Sequence, residues 1–246
     1  MAGGMDAMAG NADLPSRVIG VRVSCHNAEM NDWSLPNGLP RGRLIVPDAS
    51  SVEGSPVEEP VLWVSDAPVR QPAELWVALR LQHPQTGLWP LVLETLEDAP
   101  ARPWHDGELA PVTKPLGDGP DVDRVLLTLW TNCHEDDADE TTASIEWPGL
   151  AARGEPGDPP EAVADRVVRE AFRGESLVGL VPADSGAGAV VACGWEGPAN
   201  HASTPDIAVV LRSWEDRFGV RLLGLGFDTM TVSVAAPPLT IEHALG

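Results

Sequence analysis

The chain has 246 residues, enough to bury a sizeable core as one large domain or two small packed ones, and its 43% hydrophobic content is globular rather than disordered. Asp and Glu number 37 against 16 Lys and Arg, a formal charge of −21 that argues against a nucleic-acid backbone or an anionic membrane as main partner. The same charge permits a basic protein partner or a cation, or serves only as an acidic surface kept for solubility.

The first 37 residues are rich in Gly, Ala, Asn and Asp and are expected to be loose, with a possible strand at Val18–Val23. No basic segment followed by an apolar one marks a signal peptide, and no run of 18 apolar residues marks a membrane span, so a soluble, cytoplasmic protein is expected. Arg43–Val46 reads as the first firm strand, stopped by Pro47. After an acidic Ser/Pro/Glu loop, the unbroken apolar run Val61–Val64 suits a strand covered on both faces. Pro72 opens a helix with Leu75, Trp76 and Leu79 on one face, and Pro84 is expected to end it by His83. Leu88–Leu93 follows as a strand, which Pro90 would confine to an edge or a bulge.

Residues 97–119 form a Pro/Gly loop long enough to be either functional or a misread element. Pro120 and Asp121 then introduce a helix on which Val122, Val125, Leu126, Leu129 and Trp130 recur at helical spacing. The chain turns acidic and irregular through 131–160. Asp158 and Glu161 have capping-box spacing, and the next helix runs to Phe172. Leu177–Val181 and Ala189–Cys193 flank Asp184-Ser185-Gly186 and read as a hairpin. Thr204 is the expected cap of a helix carrying Ile207, Val210, Leu211, Trp214 and Phe218 as its apolar stripe, closed by Gly219. Val220–Gly226 reads as a buried strand. Thr229–Val234 alternates, with Met230, Val232 and Val234 expected to face inward.

The expected fold is therefore α+β, a mixed α/β arrangement of two small sheet-plus-helix units packed together. An N-terminal α/β unit spans 38–130, an acidic Pro/Gly-rich linker 131–160, and a C-terminal ββαββ unit 161–246.

Three groups of residues in this chain carry a resemblance. They are Arg212–Gly219, Gly226–Thr229 with Ser233–Pro238, and Gly194–Pro198 with Asn200-His201. Together they resemble the bacterial domain-of-unknown-function family 4253. Gly42-Arg43-Leu44, Val61–Ser65 and Thr86–Pro90 also fit its actinobacterial members. The likeness extends over most of residues 38–240 and is most specific at 212–238. It implies a cytoplasmic α+β protein and carries no assigned activity. Family members continue past the Pro-Pro pair into a helix and an aromatic-rich tail, a departure that bears on part of a pocket or partner surface.

Few constellations carry chemistry. The loop Trp195–His201 precedes a helix start, where helix N–H groups and loop side chains converge on ligands. Within it His201 suits an acid or base, Asn200 a donor and Glu196 a carboxylate partner. The plainer reading is that Asn200 and His201 satisfy a long turn while Trp195 packs in the core. Glu215 is expected in a solvated ion pair with Arg212 or Arg217, or at the sheet rim. Asp228 is expected to close a β-turn, and it would join His201 only if both faced one pocket. Cys133-His134-Glu135-Asp136-Asp137 and Trp104-His105-Asp106 place ligand types side by side rather than at metal-closing spacings, so no metal is expected. Three scattered cysteines imply neither a disulfide framework nor a zinc site.

Lys114 is the only lysine, no GK[ST] loop exists, and the glycines at 224 and 226 precede a strand rather than a helix, so no nucleotide cofactor is implied. Neither a GxSxG elbow nor an HExxH is present. The favoured function is a non-catalytic binding or interaction module, recognising a basic protein partner or a small ligand through Trp195, Asn200, His201, Glu215 and Asp228. Neutralising a basic toxin or effector would be one such role. The alternative is a small hydrolase-type enzyme using His201 with Glu196, Glu215 or Asp228. An acidic decoy of nucleic acid is disfavoured because the carboxylates are scattered through loops.

Overall fold

The computed structural model describes residues 33–48, 57–111, 121–135 and 146–245. The expected strand at 18–23, Cys25, Lys114, Pro120 and Asp136-Asp137 lie outside them. All elements below belong to the unit Leu35–Gly246. In chain order they are β1 (Gly42–Ile45), β2 (Leu62–Ser65), α1 (Pro72–Thr86), β3 (Leu88–Leu93), α2 (Val122–Glu135) and α3 (Pro160–Ala171). Then come β4 (Leu177–Pro182), α4 (Gly186–Cys193), α5 (Thr204–Phe218), β5 (Val220–Leu225), β6 (Met230–Val234) and α6 (Ile241–Leu245).

The class is α+β, built on one mixed sheet of order β1-β2-β4-β3-β5-β6. Neighbours run antiparallel except β3 and β5, which are parallel and pair at Val92 and Leu93. Every residue of β2 and β3 is buried, as an apolar run covered on both faces requires. On one face α1 and α3 bring Trp76, Ala164 and Val168 onto Val92 and Leu223. On the other, α4 and α5 bring Val190 and Leu211 into a cluster with Leu91, Leu222, Trp104 and Leu109. The strands expected in two separate units thus share one sheet, with β4 inserted between β2 and β3.

The largest departure from the sequence reading is α4. Ala189–Cys193, expected as the second strand of a hairpin, lies in a helix, so the C-terminal order is βααββ rather than ββαββ. Ser185, read as a turn residue, is the N-cap and accepts the Gly188 N–H at 3.0 Å. A short, largely buried run of Ala, Gly and Val has no polar face to betray its period.

Two prolines also behave differently from expectation. α1 continues through Pro84 to Thr86, its last turn closed by the Gly87 N–H to the His83 carbonyl (2.8 Å) and the Thr86 hydroxyl to the Gln82 carbonyl (3.1 Å). β3 is interior rather than an edge, because Pro90 stands outside its short parallel ladder with β5 and its carbonyl accepts Trp76 Nε1 at 2.9 Å. No ladder partner needs an N–H there.

Smaller corrections concern caps and faces. α3 begins after Pro159 without a capping box, and Glu161 instead takes Arg221 at 2.9 Å. Ser203 rather than Thr204 caps α5, accepting the Asp206 N–H. On β6 it is Ser233 that is buried, while Met230 and Val232 are half-buried and Val234 is exposed.

Candidate functional site

The loop after α4 is fixed at both ends. Gly194 caps α4 in the left-handed conformation (φ 71°), and a Cβ there would meet the backbone of Ala110 and Pro111. Trp195, 3% exposed, donates its indole N–H to the Gly226 carbonyl at 2.8 Å, tying the loop to the end of β5. Its own carbonyl accepts the Thr204 hydroxyl at 2.7 Å, which ties it to the first turn of α5. Gly197 lies against the indole so closely that a Cβ would enter the ring. Between these anchors the Pro198 carbonyl accepts the His201 and Ala202 N–H groups at 2.7 and 2.9 Å. The turn therefore satisfies itself through its backbone, and the Asn200 and His201 side chains are exposed.

Opposite this loop the β5–β6 turn is closed by the Gly226 N–H to the Thr229 carbonyl at 2.8 Å, with Phe227 and Asp228 exposed on it. The third wall comes from the long loop at 97–111. Trp104 anchors that wall, fully buried with its Nε1 on the Glu94 carbonyl at 2.8 Å. Arg102 pairs with Glu108 at 2.6 Å and lays its guanidinium over the Phe227 ring, 5.3 Å from the centroid. The hydrogen bond to Glu108 raises the Arg102 pKa further above its ordinary value.

These three walls enclose a cleft of about 670 Å³ in which Trp195, Glu196, Asn200 and Asp228 meet Arg102 and Phe227. A neighbouring recess of about 510 Å³ shares Glu196 and Asn200 with it and adds His201, Ser203 and Pro205. The structure therefore gathers four of the expected residues around one cleft and puts His201 on the next. No side-chain hydrogen bond to His201 is found among the described residues.

Glu215 lies elsewhere. It is eleven residues beyond Thr204 on α5, roughly 16 Å along the helix axis. Its side chain is 8% exposed and accepts the Ala187 N–H at 3.1 Å, so it caps α4 rather than facing solvent. Arg212 does pair with it, at 3.5 Å. Burial pushes the Glu215 carboxyl up, opposed by the Ala187 and Gly186 N–H groups and by Arg212 and Arg221.

Other chemistry is sparse. Cys193 is fully buried, and burial pushes its thiol up to about 12, which leaves no thiolate to act as a nucleophile. Trp104-His105-Asp106 is structural: a His105 ring nitrogen meets the Ser65 carbonyl at 3.1 Å. Among the described residues no three or more His, Cys, Asp or Glu side chains come together as a metal site, and no helix is long and apolar enough to cross a membrane. Arg102, Glu108 and Phe227 escaped the sequence reading. For Arg102 and Glu108 the signal was the length of the 97–119 loop, and for Phe227 its place in the Gly226–Thr229 group that carries the family resemblance.

No curated protein and no solved structure matches the chain. Residues 177–246, which carry two of the three walls of the cleft, match the model of a domain of unknown function (DUF4253), the family that the sequence resembles.

Proposed function

We propose that the chain is a non-catalytic binding module that receives a basic side chain of a protein partner in the cleft between Trp195–Asn200, Phe227-Asp228 and Arg102–Glu108. One observation carries the reading: Glu196 and Asp228 stand at one cleft with the amide of Asn200 and the exposed ring of Phe227, with no nucleophile beside them. Carboxylates and an amide oxygen accept the N–H groups of a guanidinium or ammonium, and an aromatic face adds attraction for the same cation. Phe227 already carries one guanidinium, that of Arg102. The charge of −21 draws a cationic partner in from a distance and raises its association rate. In this reading His201 has no catalytic part and borders the site through the neighbouring recess.

The test is affinity capture from a native lysate at physiological salt, with the wild-type chain, a Glu196→Gln/Asp228→Asn variant and a charge-matched Glu170→Gln/Asp216→Asn variant as baits. Glu170 and Asp216 are exposed on α3 and α5, away from the cleft. A basic partner held by the wild type and the control but released by the cleft variant is the expected outcome. No partner on the wild type, or equal retention by all three baits, refutes the proposal.

A further inference from the structure

A second cavity, of about 400 Å³, lies under the last turn of α5. It falls within the size range of small-molecule pockets. Trp130 of α2 and Trp147 form one wall edge to face, their rings 5.5 Å apart at 64°. Trp147 ties its indole N–H to Asp123 at 3.0 Å, outside the cavity lining. The facing wall is Trp214 with Val232 and Val234 of β6, and Trp214 and Val234 are exposed there rather than covered.

The lining holds one charge, Arg217. Its position is unusual for this chain, in which acidic residues outnumber basic ones by 37 to 16. Eight arginines among the described residues hold carboxylates: Arg43, Arg70, Arg80, Arg102, Arg166, Arg169, Arg212 and Arg221. The described arginines without a carboxylate are exposed, except Arg217, which is half-buried. Its contacts are the Ser213 hydroxyl at 3.5 Å and the Phe218 ring at 5.1 Å. Burial lowers its pKa, and so does repulsion from Arg153, whose segment packs on it through the Gly154 N–H to the Arg217 carbonyl at 3.0 Å. A half-buried guanidinium beside a second cation is a place where one anion relieves both desolvation and repulsion.

We propose that this cavity binds a small monocarboxylate with an aryl-containing apolar body, the body against Trp130, Trp147 and Trp214 and the carboxylate on Arg217. The site is separate from the cleft at Trp195 and does not depend on that reading. An aromatic body suits walls that already pack edge to face, and a single carboxylate matches a single lining cation in bidentate geometry. The overall negative charge works against polyanions and favours a ligand of one charge.

The test is calorimetric titration of the full chain with 4-phenylbutyrate, 4-phenylbutan-1-ol and 4-phenylbutylamine, which share a body and differ in the head. The acid is expected to bind about tenfold or more tighter than the alcohol, and the amine weaker still. Arg217→Gln should remove the preference for the acid, Arg217→Lys should restore part of it, and Glu170→Gln, on the exposed face of α3, should leave it unchanged. Thermal melts of both Arg217 variants check that the fold persists. No binding of the acid by the wild type, equal binding of acid and alcohol, or an undiminished preference in Arg217→Gln overturns the proposal.

Discussion

Trp195→Phe tests whether one indole holds the candidate cleft in shape. Trp195 is 3% exposed, and its N–H takes the Gly226 carbonyl at 2.8 Å from thirty-one residues away. Phenylalanine keeps an aromatic ring but has no donor. Leaving a buried carbonyl without its partner costs about 1–3 kcal/mol. The smaller ring leaves a void that adds about 1 kcal/mol. Together these remove about 2–4 kcal/mol from a total of about 5–15 kcal/mol for an ordinary domain. For a unit of this size that corresponds to a melting point lower by about 4–16 °C. The loss should also be local. Hydrogen exchange is expected to quicken at the His201 and Ala202 amides, which the same turn protects, before it quickens at the interior strands β3 and β4. Circular dichroism melts and exchange mass spectrometry measure the two effects. A melting point within about 2 °C of wild type, or exchange that rises evenly across the chain, refutes the reasoning.

Gly194→Ala should lower stability by about 2–5 kcal/mol in denaturant titrations, combining the left-handed backbone penalty with overpacking against the fixed backbone of Ala110 and Pro111. A loss below about 1 kcal/mol would show that the loop simply moves aside. For Glu215 the sign follows from its raised pKa: the folded state holds this proton more tightly than the unfolded one, so its contribution is full below the ordinary carboxyl pKa and is lost as pH rises through the folded value. Glu215→Gln keeps an acceptor for the Ala187 N–H and does not titrate. Its stability relative to wild type should therefore rise as the pH increases above the ordinary carboxyl range, and a difference independent of pH contradicts the burial argument. The isolated segment 177–246 should show no cooperative melt, because β4 and β5 are not neighbours and β3 must lie between them. A sharp transition in that fragment would disprove the dependence.

What the sequence disclosed follows the range of the physics involved. Apolar runs such as Val61–Val64 and Leu88–Leu93, and the stripe from Ile207 to Phe218, are local signals, and each marks a real element. α4 was illegible because Ala189-Val190-Val191-Ala192-Cys193 has no polar face and is short enough for either period. Pro90 misled because the hydrogen bond that accommodates it comes from Trp76, fourteen residues earlier. In the cleft, loop 195–201 could be picked out by composition and by its place before a helix. The wall from Arg102 to Glu108 could not, since Arg102 reaches Phe227 only after the chain has folded. Glu215 resembled a surface acid in sequence. Only the position of α4 makes it a buried cap.

The family match divides both cavities in the same way. In the cleft, Trp195, Glu196, Asn200 and Asp228 fall inside residues 177–246, while Arg102 and Glu108 fall outside. In the apolar cavity, Trp214, Arg217 and Val232 fall inside, while Trp130 and Trp147 fall outside. A second chain built on the matched segment would therefore reproduce one side of each cavity and be unconstrained on the other. Affinity depends on both walls at once, because a ligand desolvated on one side gains nothing from contacts the other side fails to make. On the two proposals, the matched segment supplies Glu196 and Asp228 to the cleft and Arg217 to the apolar cavity, and with them the sign of charge each would prefer. The loop at 102–108 and the tryptophans at 130 and 147 supply the shape, hence which molecule of that charge fits. Exchanging Arg102 and Glu108 should change partner choice at the cleft while leaving its preference for cations, and exchanging Trp130 and Trp147 should do the same for anions in the apolar cavity.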